Sequence, residues 1–111
     1  MRAYTVDQLQ EADIAAITRL LGDMELQSGI EGIYWLPVPE KMLTSFQKEH
    51  AEHCGPYCLA LEVENDAVHL ELLVRGMGRI RCECIGFASV ELRNHMIAYL
   101  EHMFTDLNIL F

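Results

Sequence analysis

The stretch Tyr57-Cys58-Leu59-Ala60-Leu61-Glu62-Val63-Glu64-Asn65-Asp66-Ala67-Val68-His69-Leu70-Glu71-Leu72-Leu73-Val74 decides the fold. Tyr57, Leu59, Leu61 and Val63 alternate with Cys58, Ala60, Glu62 and Glu64, the period of a strand with one face on a core. Asn65-Asp66 interrupts that pattern with residues suited to a two-residue hairpin loop. A loop there sets Val63 opposite Val68, Leu61 opposite Leu70, Leu59 opposite Leu72 and Tyr57 opposite Val74. All four pairs then share one apolar face.

Downstream, Arg75-Gly76-Met77-Gly78-Arg79 reads as a second turn. A three-residue loop places Val74 against Ile80, Leu72 against Cys82 and Leu70 against Cys84, on the same face as before. Agreement between two turns predicts a meander over 57–64, 67–75 and 79–88. On the other face Glu62 lies across from His69, Arg81 across from Leu73, and Glu71 across from Glu83. Two facing carboxylates are unfavourable, and a five-residue turn, which sets Glu71 against Ile85, removes the conflict.

Upstream, Ile33-Tyr34-Trp35-Leu36 reads as a short strand that Pro37 and Pro39 confine to an edge. Trp35 beside these prolines is expected to seal the core's edge. A helix is expected from near Pro39 to His53, ended by Gly55-Pro56. Nearer the start, Thr5-Val6-Asp7-Gln8 has the form of a capping box. Val6, Leu9, Ile14, Ile17, Leu20, Leu21 and Met24 then follow at helical steps, although Asp13 can instead cap a separate helix. Ser89 is a candidate N-cap for a closing helix whose stripe is Leu92, Met96, Leu100, Met103 and Leu107. The expectation is one α+β domain over residues 1–111. It is a two-layer sandwich in which an antiparallel sheet of three to four strands is packed by N- and C-terminal helices.

The chain has 111 residues, enough for a single core. Seventeen acids against eight bases give a formal charge of −9, which repels nucleic-acid phosphates and anionic lipid. The apolar runs are shorter than the ~18–20 residues of a membrane span, and no signal-peptide core follows Arg2. The cytoplasm is therefore the expected compartment, with the four cysteines as free thiols or ligands.

Chemistry concentrates at His50-Ala51-Glu52-His53-Cys54-Gly55-Pro56-Tyr57-Cys58. His50, His53, Cys54 and Cys58 carry imidazole and thiolate donors of the kind that zinc or iron takes. Strand parity puts Cys82 and Cys84 on the core face, away from this set. The Cys54–Cys58 segment resembles the Cys-Gly-Pro-Cys site of thioredoxins, with a tyrosine inserted. It falls where a helix ends, whereas a redox thiolate needs a helix start.

Two further groups stand out. Arg75, Arg79 and Arg81 around Gly-Met-Gly are candidates for holding a small anion. Cys58, Leu73, Ile85 and Phe87 on the outer sheet face are candidates for a homodimer interface. Arg75 and Arg79 ahead of Ile85-Gly86-Phe87 resemble part of a PilZ nucleotide-binding domain, but in the wrong order. The Asp/Asn-x-Ser-x-x-Gly segment of that family is missing, so no family is assigned.

No Gly-rich nucleotide loop follows a strand, and no nucleophile–base arrangement is evident. The expected function is an interaction or assembly module, with a partner protein or a second copy on the outer face. Metal binding at the His50–Cys58 junction is the alternative, and anion binding at the arginine turn the lesser one.

Overall fold

A computed structural model describes residues 1–78 and 81–111. Strands β1 (Ala3–Val6), β2 (Ile33–Pro37), β3 (Tyr57–Val63), β4 (Val68–Glu71), β5 (Leu73–Gly76) and β6 (Gly86–Phe87) form an antiparallel sheet. Helices α1 (Glu11–Asp23), α2 (Ser45–Cys54) and α3 (Val90–Asp106) complete an α+β fold. The sheet holds six strands rather than three to four. The two extra pairings are β1, and the division of the second meander strand into β4 and β5.

The first hairpin forms as its sequence dictates. Val63 pairs with Val68, Glu62 with His69 and Leu61 with Leu70, and the Glu64 amide donates to the Ala67 carbonyl across Asn65-Asp66. Beyond Leu61 the register departs from expectation, because Tyr57 pairs with Gly76 and Cys58 with Arg75. Four residue steps along β3 thus match six along β4–β5, so two residues bulge around Leu72. The Leu72 amide turns to the Arg2 carbonyl and its own carbonyl accepts from the Ala88 amide. An even insertion preserves side-chain parity. Val68, Leu70, Leu72 and Val74 accordingly stay together in the core.

The third meander strand is corrected more severely. Of the described residues in 79–88, only Gly86–Phe87 forms a strand, pairing Leu73 with Phe87 and Val74 with Gly86. The expected partners Cys82 and Cys84 for Leu72 and Leu70 are replaced, and Leu70 pairs instead with Tyr4. Val74 against Ile80 involves a residue outside the described set. β5 ends at Gly76 and β6 begins at Gly86, a separation longer than either turn length considered, and Cys82–Ile85 closes a tight turn through the Ile85 amide on the Cys82 carbonyl. No acid pair results. Glu71 sits across from Ala3, and its carboxylate receives the Arg75 guanidinium at 2.7 and 3.3 Å.

At the N-terminus the capping-box reading of Thr5 gives way to a strand, since Ala3–Val6 pairs along β4. The first helix begins later, at Glu11, where the Gln10 amide donates to the Asp13 carboxylate at 3.0 Å. Gln10 is thus the N-cap, and Asp13 lies inside the first turn rather than capping a separate helix. Thr44 and Gln47 supply a genuine capping box to α2, with amide-to-side-chain bonds of 3.1 and 3.0 Å. Ser89 caps α3 as expected.

Inward residues of the sheet and the apolar stripes of α1 (Ile17, Leu21) and α3 (Leu92, Met96, Leu100, Met103, Phe104) make one core. The Tyr4 hydroxyl donates to Glu101, tying the edge strand to α3. Leu26–Ser28 covers the free edge of β2, through the Trp35 amide on the Leu26 carbonyl and the Ser28 amide on the Ile33 carbonyl. This blunts an edge that would otherwise template strand addition. No described helix is long and apolar enough to cross a membrane.

Candidate metal centre

The last turn of α2 and the Cys82–Cys84 turn meet at the end of the sheet. His50 and Cys54 are four apart on α2 and share a helical face. Nδ1 or Nε2 of His50 and the Sγ atoms of Cys54, Cys82 and Cys84 all lie within 4.8 Å of one another. His50 Nδ1 stands 3.3 Å from Cys82 Sγ. A tetrahedral zinc ion with Zn–S of about 2.3 Å and Zn–N of about 2.0 Å needs ligand atoms roughly 3.5–3.8 Å apart, so small rotations suffice. Three thiolates and one imidazole are a recognised structural zinc set. An ion held by all four would have no position left for a substrate.

Surrounding groups hold the ligands. Cys54 and Cys84 are buried, while His50 and Cys82 are partly exposed. The Cys84 amide donates to Cys82 Sγ at 3.5 Å, and the Tyr57 hydroxyl lies 3.5 Å from Cys84 Sγ. That hydroxyl also donates to the Gln47 carbonyl at 2.8 Å, and buried Gln47 donates through Nε2 to the Cys84 carbonyl at 3.1 Å. The first turn of α2 is thereby linked to the second cysteine of the loop. Donors of this kind orient ligands and offset the net negative charge that three thiolates leave on a divalent ion. The Phe46 ring packs on His50, with centroids 4.3 Å apart.

The loop after β5 is fixed to α2 by its glycines. The Gly78 amide donates to the Cys54 carbonyl at 2.9 Å, and the Met77 amide to the Pro56 carbonyl at 2.8 Å. A Cβ on Gly76 would lie 2.5 Å from the Cys54 carbonyl oxygen, and one on Gly78 would overlap the His53 carbonyl. These glycines are required by close backbone approach.

The expected ligand set divides accordingly. His50 and Cys54 are in the cluster. His53 is exposed on α2 and Cys58 faces the opposite side of the sheet beside Pro37 and Arg75, so neither joins it. Cys82 and Cys84 do join, against the parity argument, because they occupy a turn to which strand parity does not apply. The sequence signal for the missed pair was Cys82-x-Cys84 itself, read together with His50-x-x-x-Cys54 at helical spacing. Around the candidate anion site, the Met77 and Gly78 amides donate to backbone carbonyls, and Arg75 is engaged by Glu71. Arg81 is exposed, and Arg79 lies outside the described residues. Among the interface candidates, Cys58 is buried within the chain, whereas Leu73, Ile85 and Phe87 are partly or largely exposed.

The thiols differ in acidity. The Cys84 amide, followed by the Cys84 thiol, brings Cys82 down to about 6. Burial, then hydrogen bonding to Cys82 and Cys84, pushes Cys54 up to about 11. Burial alone raises Cys58. Only a thiolate alkylates readily. In metal-free protein at pH 7.5, iodoacetamide is therefore expected to modify Cys82 first, at a rate that falls as the pH drops through about 6. Peptide mapping that found Cys54 or Cys58 modified ahead of Cys82 would contradict this ordering.

No family model matches the chain, and comparisons with curated proteins and with solved structures gave no match.

Proposed function

We propose that this protein is a small zinc-stabilised interaction domain in which His50, Cys54, Cys82 and Cys84 hold one zinc ion as a closed structural centre. The observation that carries the reading is the convergence of four N and S donors within 4.8 Å from two elements 28 residues or more apart in sequence. Zinc is preferred over iron because the set mixes one imidazole with three thiolates and leaves no open position. Elemental analysis of untagged protein tests it. One zinc per chain is the expected result; iron in its place would give a coloured protein, and no stoichiometric metal would end the reading.

A second reading concerns the outer sheet face. Trp35, Leu73, Ile85 and Phe87 are half-exposed on the outer sheet face, where Phe87 walls a concavity of about 360 Å³ with Arg2, Ala60, Glu62 and Glu71, and Trp35 and Ile85 line a second one with Arg75 and Met77. The guanidinium of Arg2 stacks over Phe87 at 4.0 Å. Acids and arginines on one patch suit a second copy, because a two-fold axis sets each residue against a different one. A net charge of −9 opposes such pairing at low salt. Sedimentation is thus expected to show a dimer that tightens between 50 and 500 mM salt and is lost in Phe87→Glu. A monomer at micromolar concentration in both salts removes the proposal.

A further inference from the structure

The same cluster places three sulfurs together, and they are unequally exposed. We infer that Cys82 is an entry point for hydroperoxides and that Cys54 resolves its oxidation as a disulfide, which opens the centre and releases the ion. This rests on the zinc reading for its consequence, although the disulfide itself requires only the Cys82 and Cys54 thiols.

Geometry selects the pair. Cys54 and Cys84 are buried and Cys82 is partly exposed, so an oxidant from solvent meets Cys82 first. Two sulfurs stand within 4.8 Å of it. Cys84 is two residues away and is held in place on three sides. Its amide donates to Cys82 Sγ, its carbonyl accepts from Gln47, and its sulfur lies against the Tyr57 hydroxyl. Cys54, on the last turn of α2, approaches from a different element. A bridge to it closes a loop of 28 residues and avoids the small ring of a Cys-x-Cys bond.

The chemistry balances with a hydroperoxide as the named oxidant. The Cys82 sulfur attacks the peroxide O–O bond, which breaks to give the sulfenic acid and one water or alcohol. The Cys54 sulfur then attacks the Cys82 sulfur, the S–O bond breaks, and a second water leaves. Each sulfur gives one electron to the disulfide's formation, and the peroxide is reduced by two. Where both sulfurs start as metal-bound thiolates, two protons come from solvent and the divalent ion departs with two of its four ligands lost.

The test treats zinc-loaded and chelator-stripped wild-type protein with hydrogen peroxide, beside Cys82→Ser and Cys58→Ser. Disulfides are mapped by mass spectrometry without reduction, and released zinc is read with a chromogenic chelator. The expected result is a Cys54–Cys82 disulfide in both wild-type forms, with one zinc released per bridge in the loaded form. Cys58→Ser should behave as wild type and Cys82→Ser should form no bridge. A Cys82–Cys84 bridge, or Cys82 carried to the sulfinic acid with Cys54 still free, overturns the proposal. So does retention of the ion with all thiols intact. Failure to load zinc at all ends the metal reading alone, and the stripped protein still decides the disulfide.

Discussion

Cys84→Ser protein is expected to carry no zinc and to melt on the order of 15 °C below the zinc-loaded wild type. A ligand bound only by the folded chain stabilises it by about 4 kcal/mol at a thousand times its dissociation constant. In a domain of this size each kcal/mol moves the midpoint by roughly 4 °C. The contribution should be visible as a difference between two titrations. Adding zinc to stripped wild type raises its melting temperature, while adding it to Cys84→Ser or Cys54→Ser does nothing. Stripped wild type and Cys84→Ser should melt within a few degrees of each other. That comparison separates loss of the ion from loss of packing around a buried thiol. His53→Ala is the control, because His53 is exposed on the same helix and outside the cluster. Equal zinc-induced shifts in Cys84→Ser and wild type would remove Cys84 from the centre.

The second large effect is expected from Gly76→Ala. Its Cβ would come to 2.5 Å from the Cys54 carbonyl oxygen and 3.3 Å from the carbonyl carbon, both backbone atoms at the end of α2. Neither partner is a flexible side chain, so β5 or the helix end must shift. Overpacking of this kind costs about 1–3 kcal/mol. The shift separates the loop carrying Cys82 and Cys84 from the helix carrying His50 and Cys54. Zinc affinity is therefore expected to fall by roughly tenfold or more, the scale seen when groups that orient ligands are disturbed. Gly86→Ala is the matched control. Nothing lies within 4 Å of a Cβ there, and alanine should be tolerated in β6. Competition against a chromogenic chelator reads the affinities and thermal melts read the stabilities. Gly76→Ala matching Gly86→Ala in both would show that the close approach of loop and helix does not hold the centre.

Both predictions concern a part of the molecule that local pattern reading misplaced. The alternation from Tyr57 to Val63 and the break at Asn65-Asp66 are signals between near neighbours, and they specified the pairs next to the turn, Val63 with Val68 and Leu61 with Leu70, but not the shifted register beyond Leu61. The stripe from Leu92 to Met103 specified the closing helix for the same reason. Period and turn chemistry act over a few residues and need no knowledge of the rest of the chain. The strand at Ala3–Val6 is different. Thr5 and Gln8 satisfy a helix-start pattern, but the strand exists because β4 offers a free edge, a property of residues more than sixty positions away.

The cysteines show the same division. That His50 and Cys54 share a helical face is fixed by a spacing of four on a helix. Sequence alone also assigned Cys58 to the outer face, since an even bulge at Leu72 leaves parity intact. Where Cys82 and Cys84 go was settled only in three dimensions. The chain leaves β5 at Gly76 because the Gly78 and Met77 amides find the carbonyls of Cys54 and Pro56. That contact turns Met77 and Gly78 toward the end of α2, where Cys82 and Cys84 bring two sulfurs to a third. Composition and local spacing determined an acidic chain of α+β class with a hairpin, a capped helix and one half of a candidate ligand set. Tertiary structure supplied the other half, because hydrogen bonds between segments distant in sequence, not side-chain period, set the path of a loop.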